Sequence, residues 1–156
     1  MLEMGDPAPD FALRGVEADG EQVDIRLSDL RGAPVVLYFY PKDDTPGCTT
    51  QACGIRDEWS AFRDADAVVL GVSPDDIESH RRFSSKFDLP FTLLSDPDHE
   101  VAELYGVWKE KKMYGRKFWG IERSTFVIDA TGHLAGVFRR VRPKQHVEKV
   151  MSVLEG

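Results

Sequence analysis

The run Ala33-Pro34-Val35-Val36-Leu37-Tyr38-Phe39-Tyr40 constrains the fold more than any other stretch of the chain. It is apolar without alternation, strand-sized, and rich in Val and aromatic residues, as expected of a strand buried on both faces. A strand covered on both sides needs helices above and below its sheet. Helical and strand patterns should therefore alternate around it.

They do. Pro41 ends the run, and the polar stretch Lys42 to Gly47 follows. A helix then begins, with Thr45 suited to the N-cap, Pro46 to the first helical position, and Ala52, Ile55, Trp59 and Phe62 forming an apolar stripe. Ala67 to Val72 reads as a second buried strand, and Ser73-Pro74-Asp75-Asp76 opens a helix reaching Phe87. A short strand at Phe91 to Leu94 precedes a helix from Glu100 to Tyr105. Val107 to Gly120 has no clear period and reads as a long loop. Ser124 to Ile128 and Leu134 to Phe138 form a hairpin through Asp129-Ala130-Thr131-Gly132, and a last helix spans Lys144 to Leu154. Ahead of all this, Phe11 to Leu13 and Gln22 to Ile25 make an N-terminal β-hairpin. The order implies an α/β protein with a thioredoxin-like fold: a central mixed sheet flanked by helices, spanning residues 1–156 as one domain.

Composition narrows the function. A formal charge of −7 argues against binding nucleic acid through bulk attraction to phosphate. No apolar run approaches the roughly 18 residues of a membrane span, and the first residues do not read as a signal peptide, so a cytoplasmic protein is the expectation. Two cysteines are too few for a secreted disulfide scaffold.

Cys48 falls in the first turn of the helix that starts directly after the buried strand. Ligand sites of open α/β sheets form at the carboxyl ends of strands. The unpaired N–H groups and positive dipole end of the helix favour a thiolate over a thiol. Cys53 lies five residues on. In a wound helix this separation puts the two Cα atoms roughly 8.7 Å apart. A disulfide needs about 4.4–6.8 Å, so the pair can bond only if the first turns unravel. The C-x4-C spacing also suits a structural zinc pair, but no second Cys or His pair of suitable spacing follows.

Pro41-x-x-x-Thr45-x-x-Cys48 resembles the active-site motif of the peroxiredoxins, and Tyr38 to Asp57 is similar to that of the peroxiredoxin Q, or bacterioferritin comigratory, group. Gly120 to Asp129 resembles the group's second signature, Tyr105 to Gly115 the loop before it, and Gly5 to Phe11 its opening. The resemblance implies a thiol peroxidase with a role in antioxidant defence. Cys48 would be the peroxidatic cysteine and Cys53 the resolving one. Thr45 would orient the peroxide, Pro41 would shield the sulfur from water, and Arg123 would hold the thiolate and the peroxide oxygens. Cys48 sulfenic acid would condense with Cys53, and thioredoxin or a similar dithiol would reduce the disulfide. No metal or organic cofactor is implied, and an internal resolving cysteine points to a monomer. The competing readings are a disulfide oxidoreductase, which normally carries C-x-x-C, and a redox-regulated, chaperone-like binding module.

Three smaller expectations complete the reading. Trp108, Tyr114, Phe118 and Trp119, set among Lys109, Lys111, Lys112, Arg116 and Lys117, read as a solvated loop whose aromatics fold back to wall the active-site pocket. His133 reads as a surface turn residue. Asp43 and Asp44 have no acid–base task in thiolate chemistry and read as residues that tune their loop.

Overall fold

Every side chain of the strand at the apolar run is buried, and successive ones enter opposite cores. The structure, a computed structural model, describes residues 1–155. Its elements are β1 (Ala12–Val16), β2 (Gln22–Arg26), β3 (Val35–Phe39), α1 (Pro46–Asp57), α2 (Trp59–Asp64), β4 (Val68–Ser73), α3 (Ile77–Phe87), β5 (Thr92–Ser95), α4 (Glu100–Leu104), β6 (Trp108–Met113), β7 (Arg116–Ile121), β8 (Ser124–Ile128), β9 (Leu134–Arg139) and α5 (His146–Glu155). Val36 and Tyr38 join a cluster with Cys48, Ala52 and Ile55 of α1, Phe62 of α2, Phe83 of α3 and Val150 of α5. Val35, Leu37 and Phe39 face the other cluster, with Leu27, Val101, Ala102, Tyr105 and Phe126. Each large apolar side chain so buried stabilises the fold by roughly 1.5–3 kcal/mol.

The main sheet has seven strands in the order β2-β1-β5-β4-β3-β8-β9. The three strands β5, β4 and β3 run parallel, and β1 and β8 pair antiparallel at either side of them. The thioredoxin-like mixed sheet and the N-terminal hairpin are therefore as expected. At the centre, Tyr38 stands opposite Gly71 of β4, where an added Cβ would lie 2.9 Å from the Tyr38 hydroxyl oxygen. That glycine gives the Tyr38 ring its space.

Three expectations need correction. The apolar stripe of the first helix is real, but the helix is broken at Glu58, whose backbone leaves helical geometry, so Trp59 and Phe62 lie on a separate α2. The segment read as a long loop is a two-stranded ribbon, β6 paired with β7, apart from the main sheet. Its two-residue connection, Tyr114-Gly115, has positive φ at both positions, as a type I′ hairpin requires. Its aromatics do not fold back: Tyr114 and Trp119 are exposed, and Trp108 instead stacks on His99 at 3.9 Å. His133 is exposed, as read. Among the described residues, no helix is long and apolar enough to cross a membrane.

Candidate active site

Strand register brings the distant residues together. Phe39, the last residue of β3, pairs with Ser124, the first of β8. Arg123 therefore arrives beside the carboxyl end of β3, where the chain leaves the sheet and starts α1. Its guanidinium lies against the helix N-terminus. A Cβ at Gly47 would come within 3.1 Å of Arg123 Nη2, so a residue without a side chain is what lets the arginine approach.

Arg123 Nη2 donates to Cys48 Sγ at 3.4 Å, and Nη1 donates to Gln51 Oε1 at 2.6 Å. Cys48 is buried at 1% exposure, and Cys53 is half-buried; both are free thiols. Sulfur, guanidinium and the unpaired N–H groups of the first turn of α1 form one compact site for negative charge. Thr45 stands at the N-cap with extended backbone, but its hydroxyl makes no cap bond; it donates instead to the Lys42 carbonyl at 2.8 Å. Pro41, half-buried, begins the same loop. All five residues singled out in the sequence thus lie on α1, on the loop before it, or immediately before β8.

Several neighbours were not legible in the sequence. Gln51 is fully buried, and its Nε2 has no partner among the described residues. Lys111 reaches in from the ribbon. Burial pushes its ammonium below the ordinary value and Arg123 adds to this, while Glu122 and Cys48 pull the other way. The buried Tyr38 hydroxyl has no partner among the described residues; burial, then the charges of Cys48 and Asp43, push its phenol well above the usual range, so it stays neutral. His146 exchanges a 2.7 Å hydrogen bond with Thr125 Oγ1, and burial, then Arg123, push its imidazole down to about 3. It is uncharged at neutral pH. The positive charge nearest the sulfur is therefore the arginine. The ribbon spacing could have flagged Lys111, since Lys109, Lys111 and Met113 share one face of a strand.

The AhpC/TSA family model matches residues 4–137. The chain is 50% identical over 154 residues to Peroxiredoxin Bcp of Bacillus subtilis, covering 99% of this chain and 96% of that protein. It is 47% identical over 154 residues to Peroxiredoxin Bcp of Escherichia coli, with the same coverage of each. Among solved structures, the bacterioferritin comigratory protein of Xanthomonas campestris superposes with a TM-score of 0.85 at 39% identity, covering 99% of this chain and 96% of that one. A Xylella fastidiosa PrxQ mutant superposes with a TM-score of 0.90 at 35% identity and the same coverage.

Proposed function

The chain belongs to the AhpC/TSA family and is a thiol peroxidase of the peroxiredoxin kind, and from that premise we propose that Cys48 is its peroxidatic cysteine and Cys53 its resolving one. The observation that carries this is the 3.4 Å contact from Arg123 to Cys48 Sγ at the start of α1. A thiolate is the nucleophile in such chemistry, and a guanidinium with a helix N-terminus stabilises it.

The Cys48 thiolate attacks the terminal oxygen of the hydroperoxide in line with the O–O bond. The S–O bond forms as O–O breaks, and the departing oxide takes up a proton to become water or an alcohol. Arg123 holds the developing charge on both oxygens. Thr45 already donates its proton to Lys42 O, so its oxygen lone pairs are free to accept the peroxide O–H. Pro41, half-buried on the same loop, offers no N–H, and its role on this reading is to shield the sulfur from water. The Xanthomonas campestris relative reduces alkyl peroxides; organic hydroperoxides are accordingly included in the substrate class here.

Cys48 sulfenic acid then meets the Cys53 thiol, and an S–S bond forms with loss of water. Both cysteines lie on α1 of one chain, so a monomer completes the cycle. A dithiol protein, thioredoxin by likeness to the family, returns two electrons and two protons through a mixed disulfide. The cytoplasm, where such dithiols are regenerated, is the expected compartment.

Mass spectrometry after one equivalent of peroxide tests the assignment. A Cys48–Cys53 disulfide is expected, together with loss of thiol-dependent peroxide consumption in Cys48→Ser. Full turnover by Cys48→Ser would overturn it, and persistent sulfenic acid on Cys48 would remove Cys53 from the cycle.

A further inference from the structure

The loop that carries Pro41 and Thr45 is held from behind by a buried polar network. Asp43, in the middle of that loop, is buried at 7% exposure. Its Oδ1 accepts from the Tyr40 hydroxyl at 2.5 Å, and its Oδ2 accepts from Ser79 Oγ at 2.8 Å and meets His80 Nδ1 at 2.7 Å. Its backbone N–H donates to Asp75 Oδ2 at 2.8 Å. Asp75 in turn is fixed by the Ser73 hydroxyl, and its carbonyl accepts from Ser95 Oγ. The loop is thereby tied to the ends of β3, β4 and β5 and to α3.

His80 is the centre of this arrangement. It is fully buried, and its Nε2 lies 2.8 Å from the Leu94 carbonyl oxygen. Both ring nitrogens therefore face oxygen acceptors: a carboxylate on one side, a carbonyl on the other. Held between these two oxygens, the ring is fixed in orientation and in turn fixes the Asp43 carboxylate. Asp43, Asp75 and His80 form the one group among the described residues with the residue types of a metal site. However, the direct 2.7 Å contact between Nδ1 and Oδ2 leaves no room for a cation between them.

We propose that Asp43 is a positioning residue for Thr45 and Pro41, and that His80 acts through it, clamping the peroxide-binding loop in its wound, attack-ready form. This rests on the reading in which Cys48 attacks and Cys53 resolves. The two half-reactions make opposite demands on the loop. Attack needs Thr45 held in one place beside a wound α1, whereas disulfide closure needs the first turns of α1 released. A clamp on residue 43, three residues ahead of the helix, favours the first and opposes the second. Loosening it should slow Cys48 oxidation and speed closure.

The test uses Asp43→Ala, His80→Gln and the double variant, each with and without Cys53→Ser. Dimedone trapping in the Cys53→Ser background gives the rate of sulfenic acid formation. Rapid quench with Cys53 intact gives the rate of closure. Each single variant should oxidise about tenfold more slowly, as small misplacements of reacting groups do, and close severalfold faster. The double variant should be no slower to oxidise than Asp43→Ala alone. If Asp43→Ala fails to fold, His80→Gln still reports both rates. Unchanged rates, rates falling together, or additive effects in the double variant would overturn the proposal. Absence of any Cys48 sulfenic acid in the parent Cys53→Ser protein would instead overturn the reading beneath it.

Discussion

Arg123 approaches the Cys48 sulfur to 3.4 Å without a carboxylate of its own: among the described residues, no acidic group lies in salt-bridge range of it. Its other polar contact in the site is the neutral amide oxygen of Gln51. A half-buried guanidinium is poorly screened by solvent, and pairing with an anion there stabilises both charges. On the reading proposed above, the counter-ion for this guanidinium is the Cys48 thiolate, and after it the charge developing on the peroxide.

Replacing Arg123 by Lys should therefore be far from conservative. A lysine has one ammonium and cannot hold the Gln51 oxygen and the sulfur at once through a rigid fork. Loss of one aligned donor to a developing oxyanion typically costs ~10²–10³-fold. Stopped-flow oxidation of Arg123→Lys by hydrogen peroxide should be slower by about that factor, with an unchanged circular dichroism spectrum. A rate within twofold of the parent would show that charge alone suffices.

Gln51 sets the balance from the other side. Gln51→Glu changes little in shape but puts a carboxylate 2.6 Å from Arg123 Nη1, where the amide oxygen now sits. The arginine is then neutralised by a group other than the sulfur, and the thiolate fraction at neutral pH should fall. Oxidation of Cys48 should slow about tenfold at pH 7 and recover as pH is raised, since more alkaline solution restores the thiolate. Thiolate absorbance in the ultraviolet, read across the same pH range, should move with the rate. A slow variant whose thiolate signal is unchanged would refute this account.

Much of this site was readable along the chain, because its core is local. Thr45, Cys48 and Cys53 lie within one loop and one helix, so spacing alone gives their geometry. Arg123 is different. It reaches Cys48 across 75 residues through the pairing of Phe39 with Ser124, and periodicity carries no strand register. Only the family resemblance supplied it. The β6–β7 ribbon escaped because most of its residues face solvent, leaving no apolar alternation to detect; the surviving signal was the Gly at its turn. Asp43 looked like one of two ordinary loop carboxylates. What distinguishes it from the exposed Asp44 is a histidine 37 residues away on α3.

Acid sensitivity should follow from His146. Its ordinary value of 6.5 applies to the unfolded chain, and the folded value is about 3. Between these limits the unfolded state binds the extra proton, so stability is complete above pH 6.5 and falls as pH drops toward 3. The slope approaches ~1.4 kcal/mol per pH unit. The start of α5 at His146 adds to the effect, since the positive helix end disfavours an imidazolium. His146→Gln can keep a bond to Thr125 and has nothing to titrate. Urea unfolding at pH 7 and pH 5 should show the parent losing about 2 kcal/mol more than the variant over that interval. Equal losses would mean that the buried imidazole is protonated with little penalty.

The spacing of the cysteines makes a structural demand that hydrogen exchange can read. Both thiols are free and α1 is wound from Pro46 to Asp57, so the Cα atoms lie about 8.7 Å apart, beyond the reach of a disulfide. Closure must give up the first turn, including the bond from Thr49 N–H to the Thr45 carbonyl, and draw Cys48 out of its packing against Val36 and Tyr38. Ile55, farther along and fully buried, anchors the rest of the helix. Losing a few helical bonds costs on the order of 3 kcal/mol, which formation of the disulfide offsets. After one equivalent of peroxide, amides of residues 49–53 should therefore lose protection while those of β3 and β8 keep theirs. Cys53→Ser, oxidised to the sulfenic acid, should retain protection throughout α1. If the disulfide form kept the helix amides protected, closure would have to proceed by displacement of the whole helix.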